Sequence, residues 1–427
     1  MDRLFGELAA ADLPVPSSAR VIARGRQRRR RTRTRAVLAV AAATALVVAG
    51  ASQLAGARTR KPVPAGHVRA PHAVCSAAPD PALTAQLARR LPLRGQVVAL
   101  APDGTLAYAL VSEPGFRGIA AEKVATGAVV RHIERLSSVF DSAAGTLTRT
   151  GDLLWISRYS TAIGANSGSS PVRMWSPRTG VVTMLEPPGQ SGAALSAPVL
   201  YQGGGIAAWL QGDGQQREIV AANLDTGNVH VIATGYLGPP VFVGDALVWS
   251  AASTVRGYPA HLVATDATPF PSRQRIAVPA PLRSARGGVL MGSMPEGTWT
   301  TPIGLIASAG GAAAYFSASL TELFYSPAAT QPARLVLRLK GGAYFAPGSL
   351  AMGDGYLAWS TASAASYVAS ASSLAVATIT NGNTQYGSLA GFAGYVLATR
   401  TASPKHGVAP VYLLRGSTID GLSCERR

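Results

Sequence analysis

Charge is scarce in this 427-residue chain: Asp, Glu, Lys and Arg make up only 14% of it. That share excludes a coiled coil and a disordered acidic chain, both of which need densely charged surfaces. Cysteine is scarcer still, with two residues and no Cys-x-x-Cys, so no dithiol redox motif is encoded. The six histidines (His67, His72, His132, His230, His261 and His406) never fall at metal-ligand helix spacing, and His-Glu-x-x-His is absent. A Gly-x-Ser-x-Gly elbow, a Walker loop and a calcium-type Asp ladder are missing as well. The expectation that follows is a protein that is not an enzyme and that takes neither cofactor nor metal.

What is abundant is turn-forming and small: 46 glycines and 29 prolines in an Ala-, Ser-, Thr- and Val-rich background. This favours many short strands over long solvated helices. The net charge of +18 is unevenly spread. Residues 1–61 hold 13 Lys and Arg against 3 Asp and Glu, more than half of the excess. Most of these cations precede an uncharged stretch, 36–57 (AVLAVAAATALVVAGASQLAGA). As a helix that stretch is about 33 Å long, enough to cross a bilayer core. The basic run Arg28–Arg31, Arg33 and Arg35 before it places residues 1–35 in the cytoplasm and the bulk of the chain outside. The charge therefore reads as membrane topology, and no nucleic-acid partner is expected. The alternative is a cleaved signal peptide, since Ala49-Gly50-Ala51 and Ala55-Gly56-Ala57 both suit cleavage. Residues 58–74 contain Pro62, Pro64 and Pro71 and read as an extended stalk.

From about residue 95 a pattern recurs. A glycine turn leads into a short apolar strand with an aromatic four residues on: Gly104…Tyr108, Gly151…Trp155, Gly205…Trp209, Gly311…Tyr315 and Gly355…Trp359. Gly244…Trp249 is one residue longer, and Gly394…Ala398 has alanine in the aromatic place. Hairpin turns follow several of these strands, as in Ala125-Thr126-Gly127 and Asp225-Thr226-Gly227-Asn228. Strand–turn–strand followed by a hairpin, at intervals of 39 to 67 residues, predicts an all-β fold, a β-propeller of about seven blades over 75–427.

The paired elements resemble TolB-like and WD-repeat-like propellers of bacterial envelopes. The whole layout resembles single-pass actinobacterial membrane proteins that carry such a propeller outside the cell. The Trp-Asp dipeptide of true WD repeats is absent. A propeller has to close its ring, and Cys75 precedes the first blade while Cys424 ends the last. A bond between them would latch the ring; the alternative is two free thiols.

Few residues carry a site hypothesis. Asp152, Asp245 and Asp354 share a Gly-Asp turn in three repeats. They read as turn caps rather than a ring of cation ligands. Trp155, Trp209, Trp249 and Trp359 read as packing between blades rather than a sugar-binding set. Two insertions interrupt the repeat, Arg158–Pro171 and Pro279–Pro302. The second carries Arg283, Arg286 and Trp299, which would suit an anionic or carbohydrate-like ligand; the plainer reading is a tolerated surface excursion. The functional expectation is a membrane-anchored binding platform for an envelope protein or carbohydrate-like ligand. The alternatives are a transmembrane signalling protein with residues 1–35 as its cytoplasmic contact, and a secreted propeller enzyme.

Overall fold

Several central strands of this chain are apolar along their whole length, with no polar alternation. Ala312–Phe316 and Tyr356–Ser360 are buried at every position. Such strands have packed neighbours on both faces, which stacked sheets provide. The computed structural model describes residues 72–73, 75–78, 80–140, 142–159, 168–188, 193–213, 216–252, 260–283, 306–309, 311–317, 320–340, 343–346, 349–362, 365–379, 386–392, 394–400 and 410–425. The expected tail (1–35), membrane span (36–57) and most of the stalk lie outside these residues. No helix among the described residues is long and apolar enough to cross a membrane.

The strands form successive antiparallel groups, the blades of a β-propeller. Blade 1 runs Gln96–Leu100, Leu106–Glu113, Phe116–Lys123, Val129–Arg135. Blade 2 follows with Ser142–Leu147, Leu153–Tyr159, Val172–Trp175, Val182–Leu185. Blade 3 is Val199–Leu200, Ile206–Asp213, Gln216–Asn223, Val229–Leu237. Blade 4 has Val241–Val243, Ala246–Ala252 and Ala260–Asp266, with a single bridge from Ala264 to Ile276 in the outer place. Blade 5 comprises Ile306–Ala309, Ala312–Phe316, Glu322–Ser326 and Arg334–Arg338. Blade 6 comprises Ala351–Gly353, Tyr356–Ser360, Ser366–Ser370 and Ala375–Thr378. Blade 7 supplies Tyr386–Phe392, Tyr395–Arg400 and Val411–Arg415. Its outer strand, Arg90–Leu91, comes from the N-terminal side and closes the ring.

Alternation within a strand assigns each face to a neighbour. Trp209 packs with Leu154 and Ile156 of blade 2, and Trp359 with Ala312 and Ala314 of blade 5. A large side chain from one blade thus fills the space beside apolar strand residues of the blade before it, and where these are alanines, as for Trp359, the sheets approach closely. Trp155, Trp209, Trp249 and Trp359 have no solvent exposure, as expected of packing residues. Tyr108 differs: it faces forward to Trp155 and Trp175 of blade 2, while Ala107 takes the backward face. Identical spacing from the glycine therefore conceals a shift of one residue, which reverses the face in a strand.

The first two strands of a blade and its last two are joined by turns at the same end. The hairpin turns behave as read, with Gly127, Gly180 and Gly227 all at positive φ. Linking bonds join the two turns: Val124 N–H donates to Thr105 O in blade 1, Leu224 to Gly205 in blade 3, and Ala371 to Gly355 in blade 6.

The segment before blade 1 straps the outer edges of three blades. His72–Ala73 pairs with Arg334–Arg338, and Cys75–Ser76 runs parallel to Ala375–Thr378. The helix Pro81–Ala88 starts with Asp80 accepting the Leu83 N–H (2.9 Å) and proline in the first turn. It buries Leu83 and Leu87 against blade 7. Cys75 and Cys424 form a disulfide, with Cα atoms 5.5 Å apart. Covering these edges removes open ladders that would otherwise pair with other chains.

Candidate functional site

One group of polar side chains lies between blades 2 and 3, at the end opposite the glycine turns. Three strands build it. Ile206–Asp213 brings Trp209 and Gln211 to the blade 2 side, because residues two apart share a face. Gln216–Asn223 places Glu218 directly opposite Gln211 in register. Leu153–Tyr159 of blade 2 turns Leu154 and Ile156 to this interface, and Arg158 follows on the same face.

A hydrogen-bonded chain results. Trp209 Nε1 donates to Gln211 Oε1 (3.1 Å), and Gln211 Nε2 donates to Glu218 Oε2 (3.0 Å). Gln211 is only 2% exposed, so its amide is held in one orientation and aims the carboxylate. From blade 2, Arg158 Nη2 donates to Leu195 O (3.4 Å). The Arg158 side chain reaches the surface, yet crowding removes enough water to pull its proton affinity below that of a free guanidinium. Segment 193–196 runs along the strand that carries Leu210 and Gln211. Ala194 bridges to Gln211, Ser169 Oγ donates to Ala194 O, and Ser196 Oγ accepts the Leu210 N–H (3.0 Å). Arg217, one residue from Glu218, points to the other side and donates to Leu237 O (3.1 Å). The interface thus sets an oriented carboxylate on blade 3 and a cation on blade 2. Ser169 and Ser196 are spent on holding segment 193–196. No cluster of three or more His, Cys, Asp or Glu suited to a metal occurs among the described residues.

The site residues expected from sequence fare differently. Arg283 ends the short turn Ala280–Arg283, is exposed, and donates from Nε to Val278 O (3.1 Å). Arg286 and Trp299 lie outside the described residues. Asp152 is a turn cap, accepting from Thr150 Oγ1 (2.5 Å) and lying 8% exposed. Burial would raise its carboxyl, but the hydroxyls of Thr150, Ser176 and Thr148 outweigh this and hold it below its ordinary value. Asp245 instead links blades, accepting from Tyr201 Oη of blade 3 (2.6 Å). That bond is the chief reason the Tyr201 phenol is pushed up to about 12, with burial and the charges of Asp245 and Asp266 adding to it. In Asp245→Asn the phenol is expected to ionise nearer to about 10. An ultraviolet pH titration, read as a difference from the parent protein, checks this; superimposable curves would refute the pairing.

The sequence marks Arg158 as the start of an insertion, but no motif marks Gln211 or Glu218. A signal existed. The residue two after each repeat tryptophan is Ser157, Gln211, Ala251 or Thr361, and only in blade 3 is it long and polar.

No protein-family model and no curated protein matches this chain. Solved structures do resemble it. Oligogalacturonate lyase from Vibrio parahaemolyticus is 10% identical at a TM-score of 0.46, covering 76% of this chain and 90% of that one. A puromycin hydrolase is 17% identical at 0.46, with 80% of this chain matching 56% of that one. The β-propeller domain of the Trilobed protease from Pyrococcus furiosus is 10% identical at 0.38, covering 65% of this chain and 94% of that domain. At these identities the likeness concerns the propeller fold. Against the expectation of a non-enzymatic platform, the matched structures are those of a lyase, a hydrolase and a protease domain.

Proposed function

We propose that this chain is the substrate-handling propeller of an enzyme that works outside the cytoplasm, held to the membrane by residues 36–57 with residues 1–35 inside. The observation that carries the enzymatic part is the Trp209–Gln211–Glu218 chain of blade 3, with Arg158 of blade 2 bonded to Leu195 O at the same interface. A buried amide that fixes a carboxylate is costly to maintain for stability alone, since an apolar pair would pack the same interface without buried polar groups. Oriented in this way, Glu218 can accept a proton from a bound substrate, and Arg158 can hold an acidic group or a developing negative charge. A substrate with both acid and hydroxyl groups fits that pair. The compartment is supported by the Cys75–Cys424 bond, which persists in oxidising surroundings.

Oligogalacturonate is a suitable first probe, with puromycin as a substrate of different charge. Arg158→Ala is expected to weaken oligogalacturonate binding roughly tenfold to a hundredfold, the scale of one charged hydrogen bond. Glu218→Gln is expected to keep binding and lose turnover. Calorimetric binding and product formation on the same preparations are the readouts. Unchanged binding in Arg158→Ala, at an unchanged melting temperature, would remove the interface from the reading.

A further inference from the structure

The ring is closed by very little backbone pairing. Its closing strand, Arg90–Leu91, pairs over two residues, and the chain then rises through 92–95 into the first strand of blade 1. One carboxyl holds that rise. Glu122 Oε2 accepts the Arg94 N–H (3.0 Å). Glu122 has no solvent exposure, and its second oxygen, Oε1, is buried without a partner. Its surroundings are apolar. Ala107 lies opposite it in register, and Ala120 and Val124 share its face. Leu91, Leu93, Leu397 and Val411 complete the packing from the closing segment and blade 7. Val129 is its register partner on the outer strand. The charged groups that act on it are Arg94, on the segment it holds, and Glu113, on the neighbouring strand of blade 1.

We propose that Glu122 is a proton-binding site that sets the strength of the seam between blades 7 and 1. A neutral carboxyl serves both as acceptor for Arg94 and as filling for an apolar interface. An ionised one leaves a charged oxygen sealed there with no donor, which is far costlier. Burial accordingly raises the Glu122 carboxyl above its ordinary value, against the lowering influence of the Arg94 backbone N–H and charge and of the Gly95 backbone N–H. The direction of the linkage follows. With the folded value above the unfolded one, the full contribution is present below the unfolded value and is lost as pH rises through the folded value. The seam is therefore tightest in acid, the reverse of the usual salt-bridged carboxylate.

Amide exchange of residues 90–100 in the full-length protein tests this, measured from about pH 5 to about pH 8 and corrected for intrinsic rates. In the parent protein the opening equilibrium is expected to grow by up to about tenfold per pH unit between the unfolded and the folded value, and to level off above the folded one. Glu122→Gln keeps the acceptor without the charge and is expected to be protected equally at all these pH values. Glu122→Met removes acceptor and charge together, and is expected to be pH-independent but less protected at Arg94. A parent protein with no pH slope, or a Gln or Met variant with the parent's slope, would overturn the assignment.

Discussion

Replacing Cys75 and Cys424 with serine lowers the stability of the ring by as much as about 6 kcal/mol, the chain-entropy figure for a loop this long. The two cysteines are 349 residues apart, so the bond removes from the unfolded chain nearly all freedom of its ends. That figure is an upper one, because residual structure in the unfolded chain and native strain both reduce it. The folded side has its own reason to need the bond. The strap rests on strands of two residues each, His72–Ala73, Cys75–Ser76 and Arg90–Leu91. Such short pairings do not hold themselves, and the helix Pro81–Ala88 offers only two buried leucines. Without the bond the strap is expected to peel from blades 5 and 6 first, baring Arg334–Arg338 and Ala375–Thr378. Urea unfolding gives the global loss, and exchange at those two outer strands gives the local one. A loss below about 1 kcal/mol would mean that residual unfolded-state structure cancels the loop term.

The same bond shows how far the sequence could be read. Two cysteines bracketing a repeat region suggest a latch without any coordinates. That Cys75 sits on blade 6 while the closing strand lies fifteen residues later could not be read, because Arg90–Leu91 is too short to carry a period. The blades were legible where a strand is buried on both faces, since Gly205-Ile-Ala-Ala-Trp209 and Gly355-Tyr-Leu-Ala-Trp359 have no solvent side to diversify. The face of each aromatic was less so: Tyr108 matches its counterparts in spacing yet looks the other way. The polar interface was the least legible part. Gln211 and Glu218 meet across one hairpin, but Arg158 is remote from both in sequence, and only stacking of blade 3 on blade 2 brings it to their interface.

The four tryptophans with no solvent exposure offer a comparison that the repeat alone would not suggest. Truncating any of them to alanine is expected to cost about 3–5 kcal/mol, the usual range for a large buried aromatic. Phenylalanine separates packing from hydrogen bonding, because it keeps a ring and removes the indole N–H. In blade 3 that N–H has a partner, Gln211 Oε1. Trp209→Phe therefore leaves a buried acceptor unsatisfied and frees the amide that aims Glu218. In blade 2 the Trp155 N–H is buried without a partner, and so is the hydroxyl of Ser157 two residues on. Trp155→Phe deletes a donor that the fold does not satisfy, so only the packing loss remains. Trp209→Phe is expected to be the costlier of the pair by about 1–3 kcal/mol, the penalty for orphaning one buried polar group. It should also impair whatever the interface does to a bound acid, whereas Trp155→Phe should not. Chemical unfolding of the two variants alongside the parent decides the matter. Equal losses would mean that the Trp209–Gln211 bond contributes nothing net, and the oriented carboxylate on which the proposed site depends would lose its support.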